Sequence, residues 1–233
     1  MSRVSALDLL FPPRCAACGD LLVEAAPLCE PCHATLVPLP DQGCPVCAEP
    51  LEAPGPCMAC RDDPPPFERV RAAFAFGGAA AEALVRFKYR DAPTLAGPLA
   101  ELAWPALGEG LRGCDAIAPI PLHPTRLRQR GFDQAALLAQ ALAARAGRPC
   151  ALDLLVRTRA TPQQVGAARA DRHQNLRGAF RAGPRAPMPK RVALVDDVVT
   201  TTATARDAAR ALREAGVEAV HIAAIARAYG SGK

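Results

Sequence analysis

The chain has 233 residues, half of them apolar, which is enough for one sizeable core plus a small module and excludes a chain that is disordered throughout. The net charge of +5 is modest and argues against a general polyanion-binding surface, but arginines concentrate between residues 126 and 191 and predict either a local positive field or an ordinary solvated basic face. No apolar run approaches the roughly 18 residues of a membrane span, and residues 1–11 lack a secretory pattern, so we predict a soluble, cytoplasmic protein.

Eight of the ten cysteines form four CxxC pairs separated by 9 to 11 residues. The pairs are Cys15/Cys18, Cys29/Cys32, Cys44/Cys47 and Cys57/Cys60. Zinc binds four thiolates tetrahedrally, and a two-residue gap lets one tight turn supply two of them, so the pattern predicts two closed structural zinc sites. Disulfides are the alternative, which the reducing cytosol disfavours.

The arrangement of the pairs into sites has two solutions. The knuckle-like sequences CAACG at residues 15–19 and CPVC at residues 44–47 favour sequential sites, with an interleaved pairing as the alternative. Each ribbon is too small to bury a core, so the metal would supply its folding energy. His33 is surplus to the four thiolates, and Cys114 and Cys150 adjoin apolar strands and are expected to be ordinary buried thiols.

A stiff proline-rich stretch at residues 62–66 divides the chain, because consecutive prolines favour extended polyproline II and exclude a helix. We therefore predict a double zinc ribbon module over residues 1–63 and a second domain over residues 67–233. In that domain the patterns predict strands at residues 70–76, 116–120 and 152–156, and helices at residues 79–89, 94–107 and 134–146. Strands and helices alternate from residue 116, which predicts an α/β fold with a parallel sheet and ligand sites at the carboxyl ends of its strands.

The stretch PLHPTRLRQRGFDQ follows one of these strands and carries three arginines, Arg126, Arg128 and Arg130. Arginine suits pyrophosphate because its planar fork binds phosphate oxygens bidentately. Contact with nucleic-acid phosphates and a plain solvated loop are the alternatives. His123 precedes a proline in this stretch and is expected to be a turn residue rather than a catalytic one.

Between Thr158 and Arg181 lies a polar, arginine-rich segment whose helical signals are interrupted. It is long for a simple connection, and such loops are usually lids or disordered. A surface for another protein or for DNA is the alternative.

The run VALVDDVVTTTATA, residues 192–205, carries the clearest chemistry. Val192 to Val195 are apolar without alternation, as in a strand covered on both faces, and the helical pattern that follows closes at Gly216. Between strand and helix lie two carboxylates, Asp196 and Asp197, and then threonines. Hydroxyl groups at a helix N-terminus bind phosphate, whereas carboxylates repel it and suit sugar hydroxyls or a hydrated Mg²⁺. Together these groups predict a site for a ribose 5-phosphate that bears a pyrophosphate.

These residues resemble the phosphoribosyl pyrophosphate (PRPP) signature of type I phosphoribosyltransferases, in which a strand and two acidic residues precede Thr-Thr-Gly-Ala-Thr. Within that superfamily the chain resembles the ComF family, competence-linked proteins with cysteine-rich N-termini that include GntX-like members. From about residue 9 onward the resemblance is carried by LFPPRCAAC, RQRGFDQAALLA, RTRATPQQVGAARADRHQNLRGAF and VDDVVTTTAT. Two residues depart from it: Thr202 replaces the signature glycine, and Asp133 replaces the usual asparagine. If that glycine is required for a positive φ, threonine is strained there by about 1–2 kcal/mol.

The resemblance implies a type I phosphoribosyltransferase-like fold and a PRPP-dependent enzyme, a glycosyltransferase of unidentified acceptor. In this reading Asp196 and Asp197 are the catalytic residues and hold the ribose hydroxyls, with Mg²⁺ bound alongside PRPP. The 5-phosphate would be bound by Thr200, Thr201, Thr202, Ala203 and Thr204. The leaving pyrophosphate would be bound by Arg126, Arg128 or Arg130. Catalysis would then consist mainly of positioning and charge stabilisation.

The resemblance also implies that the arginine-rich segment closes over PRPP and excludes water from the ribosyl centre. The family hallmark residues in this block are Thr161, Gln164, Arg172, Asn175 and Phe180.

A non-catalytic role is the alternative to the enzyme. The same site would sense PRPP, while the zinc ribbons and basic loops would bind single-stranded DNA and proteins of DNA uptake or recombination, as the resemblance to competence proteins implies. Only ten residues are aromatic, which leaves few platforms for base stacking and disfavours a strong sequence-independent strand binder.

Overall fold

The computed structural model describes residues 12–24, 26–40, 43–89, 92–159, 178–184 and 187–229. In chain order its elements are α1 (Glu30–His33), α2 (Met58–Asp62), β1 (Arg69–Ala75), α3 (Gly78–Tyr89), α4 (Ala92–Arg112), β2 (Ala116–Pro119), α5 (Pro124–Arg130), α6 (Gln134–Ala146), β3 (Leu155–Arg157), β4 (Phe180–Ala182), β5 (Arg191–Val199), α7 (Ala203–Glu214) and β6 (Ala219–Arg227). Within these ranges none of the helices combines the length and the apolar character that crossing a membrane requires.

A four-stranded sheet lies at the centre of the molecule, in the order β1-β6-β5-β2, and all of its neighbouring strands are parallel. Every residue of β2 is buried, as are residues 192–195 of β5, because apolar side chains without alternation suit a strand covered on both faces. Helices α3, α4 and α6 cover one face and α7 covers the other. The predicted α/β class, a parallel sheet flanked by helices and joined to a small cysteine-rich module, is confirmed.

Strand β5 is longer than the sequence predicted. The apolar run ends at Val195, but pairing with β6 continues to Val199, which lies opposite Arg227. On its other side β5 pairs with β2 only as far as Val195, opposite Pro119. The last four residues of β5 therefore have a strand on one side only.

The strand expected over residues 152–156 does not join the parallel sheet. It is reduced to β3, which pairs antiparallel with β4 in a separate two-stranded sheet. Asp207 of α7 supplies the reason, because its carboxylate accepts the backbone N–H groups of residues 178–180 at 2.8–3.2 Å and so anchors β4 on α7. At Gly183 a Cβ atom would collide with the carbonyl oxygen of Asp153, so only glycine allows the chain to pass Asp153 at this distance.

The cysteine-rich segment packs directly on the sheet. The N–H of Leu39 donates to the carbonyl oxygen of Ala73 at 3.0 Å, and the N–H of Val70 donates to that of Val46 at 2.7 Å. Residues 15–17 are buried in the same apolar cluster as α3 and α4. The proline-rich linker therefore does not hold the two parts of the chain apart, and the domain boundary between residues 63 and 67 stays a prediction.

Candidate functional site

The eight paired cysteines lie in two groups of four, and in each group all Sγ atoms are within 4.8 Å of one another. The groups are Cys15, Cys18, Cys29 and Cys32, and Cys44, Cys47, Cys57 and Cys60. This is the sequential arrangement, not the interleaved one. Helices α1 and α2 begin directly after Cys29 and Cys57, so a single helical turn presents the second pair of each group.

The geometry of both groups fits structural zinc. Sulfur atoms are 3.7 Å apart between Cys18 and Cys29 and 3.6 Å apart between Cys47 and Cys57. Four sulfurs placed tetrahedrally about 2.3 Å from one zinc ion are about 3.8 Å apart. None of these cysteines forms a disulfide. Four thiolates close the coordination sphere, so each site is suited to a structural ion rather than a catalytic one.

Backbone donors favour the thiolate form at one position of each group. Burial acts to raise the pKa of Cys15, but the N–H groups of Cys29, Cys18 and Ala17 outweigh it and lower the pKa to about 6. For Cys44, too, burial acts to raise the pKa and backbone N–H donors lower it to about 7. Because the thiolate is the form that binds metal, these lowered pKa values favour metal binding at the two positions.

The carboxylates Asp196 and Asp197 lie on the part of β5 that extends beyond β2, at the carboxyl end of the sheet, and we call the region beside them the crevice. Parallel sheets bind ligands at this position. The backbone N–H of Asp197 donates to Asp196 at 2.8 Å, and that of Val198 donates to Asp197 at 2.9 Å. Burial, followed by the negative charge of Asp197, raises the pKa of Asp196 well above its ordinary value.

Lys88, in the last turn of α3, contacts this acidic pair. Its Nζ atom lies 2.5 Å from Oδ2 of Asp197, and the two side chains are only 23% and 15% exposed. The sequence analysis placed residue 88 in a helix but gave it no functional role. No signal in the sequence links α3 to β5, because the contact depends on how α3 packs beside the end of the sheet.

The loop between β5 and α7 has a positive φ at Thr202, the position where the phosphoribosyltransferase signature has glycine. Thr202 has φ 62° and ψ −2°, in the left-handed region, and forms the N-cap of α7 without a side-chain capping bond. A positive φ is thus observed at the position of the signature glycine, and it costs threonine about 1–2 kcal/mol. Thr200 is exposed, Thr201 and Thr204 are half-buried, and Ala203 begins the helix, whose first N–H groups have no intrahelical acceptor.

The three candidate arginines lie on the short helix α5 rather than in an open loop. His123 is its N-cap, and its Nδ1 atom accepts the N–H of Thr125 at 3.2 Å, which agrees with a turn role. Arg128 is exposed, whereas Arg126 and Arg130 are half-buried. The structure therefore brings two of the three arginines into partly enclosed positions.

Arg157, at the end of β3, adds a cation that the sequence analysis did not single out. Burial and then the positive charge of Arg126 lower the pKa of Arg157, while the negative charge of Asp196 acts in the opposite direction. Arg157 also lies 5.2 Å above the ring of Phe180. Arg157, Arg126 and Asp196 thus belong to one electrostatic neighbourhood at the crevice.

Asp133 uses both carboxylate oxygens. Oδ1 accepts the N–H of Ala136 and caps α6 at 3.1 Å, and Oδ2 accepts the N–H of Leu122 at 2.8 Å. An asparagine offers one acceptor oxygen and an NH₂ group that cannot accept, so aspartate is the better residue for this double role. The side chain fixes the path of the chain from β2 through α5 to α6.

Most of the arginine-rich block lies outside the described residues: Thr161, Gln164, Arg172 and Asn175. Phe180, the remaining hallmark residue, is buried in β4. The residues that lead into β4 are held by Asp207, so the C-terminal end of this block is fixed to α7, the helix that carries the threonine loop.

Comparison with known proteins agrees with the cysteine geometry. The model of a family described as the double zinc ribbon domain matches residues 6–61. Among solved structures, similar chains include the glutamine PRPP amidotransferase from B. subtilis, 22% identical with a TM-score of 0.39, which covers 60% of this chain and 30% of its own. The orotate phosphoribosyltransferase from Aeropyrum pernix is 20% identical with a TM-score of 0.35, covering 57% of this chain and 56% of its own.

Curated relatives match over most of the chain. Competence protein F of Haemophilus influenzae is 31% identical over 227 residues, 94% of this chain and 98% of the relative. The DNA utilization protein YhgH is 32% identical in Salmonella typhimurium and 30% identical in Escherichia coli, in both cases over 79% of this chain and 83% of the relative. With this identity and this coverage, the chain belongs to the ComF family.

Proposed function

We propose that the crevice beside β5 binds PRPP together with Mg²⁺. The observation that supports this most is the continuous order of groups in residues 196–204. A carboxylate pair suited to ribose hydroxyls is followed directly by a threonine loop and the N-terminus of α7, which is suited to the 5-phosphate.

The contact between Lys88 and Asp197 supports a more specific proposal for the roles of the two carboxylates. Because its ammonium group already lies against Asp197, direct coordination of a metal by that oxygen would displace it. Asp196 and Asp197 would therefore hold the ribose hydroxyls and reach Mg²⁺ through its water ligands. Mg²⁺ would neutralise the charge of the pyrophosphate, whose oxygens Arg126, Arg128 or Arg130 would bind together with Arg157.

The reaction that fits this site is transfer of the phosphoribosyl group to an acceptor with loss of pyrophosphate. The names of the relatives, a competence protein and DNA utilization proteins, support a role of such an activity in the uptake or use of DNA, and we propose that it acts in the cytoplasm. In this proposal the eight paired cysteines bind two structural zinc ions that hold the N-terminal segment on the sheet.

The test is calorimetric titration of the full chain with PRPP in the presence of Mg²⁺. We expect one site per chain, with weaker binding when Mg²⁺ is removed and weaker binding of ribose 5-phosphate, which lacks the pyrophosphate. Pyrophosphate alone serves as the control for a site that binds any anion. No binding of PRPP at millimolar concentration contradicts the proposal.

A second candidate, binding of single-stranded DNA without catalysis, is favoured by the relatives' names and by the exposed Arg128 on α5. If phosphate contacts carry that binding, log affinity falls with log salt by about 0.7 per neutralised phosphate. Binding that is undetectable in dilute buffer, or independent of salt, rules it out for the chain alone.

A further inference from the structure

A buried arginine at the end of β6 joins the second cysteine group to the threonine loop. Arg227 is only 1% exposed. Its Nε atom donates to the carbonyl oxygen of Cys47 at 3.3 Å, and Nη2 donates to Oε2 of Glu49 at 3.0 Å. Its Nη1 atom donates to the carbonyl oxygen of Val199 at 3.2 Å and also to that of Thr200.

The buried guanidinium group of Arg227 cannot readily replace these partners with others. A guanidinium group carries five N–H donors and a permanent charge, and at this burial a lost partner leaves an unpaired donor without water to replace it. Glu49 supplies the opposite charge, and the carbonyl oxygens accept the remaining bonds. Arg227 thus fits its site only while the cysteine-rich segment and the threonine loop both hold their positions.

The contacts of Arg227 also orient the loop's backbone. A peptide unit is planar and trans, so its N–H points opposite to its carbonyl group. With the carbonyl group of Thr200 directed at the buried guanidinium, the N–H of Thr201 is directed away from it. The carbonyl group of Val199 is also held by the N–H of Ala228 at 2.9 Å, so the bond to Thr200 is what Arg227 adds.

We propose that Arg227 is a positioning residue that couples metal loading of the second cysteine group to phosphate binding by the threonine loop. Metal at this group holds Cys47 and Glu49 in place, Arg227 keeps the carbonyl group of Thr200 turned inward, and the N–H of Thr201 stays available for a sugar 5-phosphate. The proposal rests on the function proposed above. Because coupling is reciprocal, bound PRPP must in turn protect the metal site.

The first measurement compares PRPP binding by calorimetry in wild type, Arg227→Met and Arg227→Lys. Arg213→Met is the matched control, since Arg213 is exposed in the last turn of α7 and donates to the nearby carbonyl oxygen of Val217 at 3.1 Å. We expect the dissociation constant for PRPP to rise at least 10-fold in Arg227→Met. It should stay at the wild-type value in the control. Arg227→Lys should recover part of the loss, because an ammonium can bind Thr200 but cannot also span the other partners.

The second measurement is independent of catalysis. Zinc-loaded protein is exposed to a chelator and a thiol-alkylating reagent, and mass spectrometry follows which cysteines become modified. In wild type, saturating PRPP should slow the modification of the second cysteine group several-fold. Because the coupling is reciprocal, this factor should match the increase in PRPP affinity that bound metal causes. A residue that is only structural would change the melting temperature without abolishing this protection, whereas Arg227→Met should abolish it.

The outcomes separate this proposal from the proposed function. A folded Arg227→Met protein with wild-type PRPP affinity, or with undiminished protection by PRPP, overturns the coupling. If Arg227→Met does not fold, Arg227→Lys decides by the same two readouts. If wild type does not bind PRPP, the proposed function fails, and hydrogen exchange at the amide of Thr201 decides the coupling. An exchange rate that changes both in the variant and in protein stripped of metal supports it, and rates equal to those of zinc-loaded wild type overturn it.

Discussion

At the scale of single residues, the charges of the crevice are balanced before any ligand arrives. Asp196 and Asp197 are adjacent acids on a strand covered by helices, and two such charges repel each other strongly at low dielectric. Lys88 neutralises Asp197, while the raised pKa of Asp196 reduces its tendency to ionise. A ligand that brings hydroxyl groups and a hydrated cation would replace these internal compensations with contacts of its own.

Replacing Asp197 by alanine tests this balance. We expect a loss of PRPP affinity of about 10- to 150-fold, because a hydrogen bond to a charged group contributes about 1.5–3 kcal/mol. Calorimetry measures it. Glu101→Ala is the control, since Glu101 is exposed on α4 and pairs with Arg145 of α6. Equal affinity of Asp197→Ala and wild type would show that this carboxylate does not contact the ligand.

Thr202 permits a prediction of the opposite sign. Thr202→Gly should stabilise the protein by about 1 kcal/mol, because glycine adopts the observed φ of 62° without the clash of a β-branched side chain. The melting temperature should rise by about 2–4 °C, and PRPP binding should stay unchanged or tighten. Thr201→Gly is the control: its φ is not positive, so glycine there should not stabilise. Loss of all PRPP binding in Thr202→Gly would mean that the threonine side chain itself holds the phosphate.

At the scale of elements, the sequence predicted what local periodicity determines. The apolar run at residues 192–195 and the helical pattern of α6 were readable because burial on two faces, or on one stripe, leaves a regular trace. The extension of β5 to Val199 was not readable, because polar Asp196 and Asp197 remain in the strand only through pairing with β6. The antiparallel pair of β3 and β4 was missed for a similar reason, since it depends on a distant carboxylate, Asp207.

The same limit applies to the candidate site. The acidic pair and the threonines could be predicted because they are contiguous and their chemistry is complementary to one ligand. Lys88 and Arg157 approach them from α3 and β3, and only tertiary packing brings those elements to the carboxyl end of β5.

The start of α6 offers an element-scale test of the bonds made by Asp133. Asp133→Ala removes acceptors from two backbone N–H groups and should cost about 2 kcal/mol, at about 1 kcal/mol per bond, whereas Asp133→Asn should cost about half as much. Urea unfolding monitored by circular dichroism gives both values. Equal costs for the two variants would show that the capping bond to Ala136, which asparagine can keep, contributes nothing, and no cost in Asp133→Asn would show the same of the bond to Leu122.

At the scale of the whole molecule, the cysteine-rich segment is bonded to the helices that cover the sheet. Arg86 of α3 donates to the carbonyl oxygen of Cys15 at 2.7 Å, and Arg206 of α7 donates to Asp63 at 2.9 Å. Helices on both faces of the sheet thus bind the N-terminal segment. The free energy that metal gives to the ribbons is therefore shared with the sheet rather than confined to a separate module.

This sharing predicts how loss of one zinc site affects the whole chain. Cys44→Ser should leave one zinc ion per chain instead of two by elemental analysis, and should lower the melting temperature of a single transition. A loss of about 4 kcal/mol, typical of a lost metal site, corresponds to about 8–16 °C for a chain of this size. Cys150→Ala is the control, because Cys150 lies outside both groups and should keep two zinc ions. If the segment were instead an independent module, Cys44→Ser would melt in two steps, the second at the wild-type temperature.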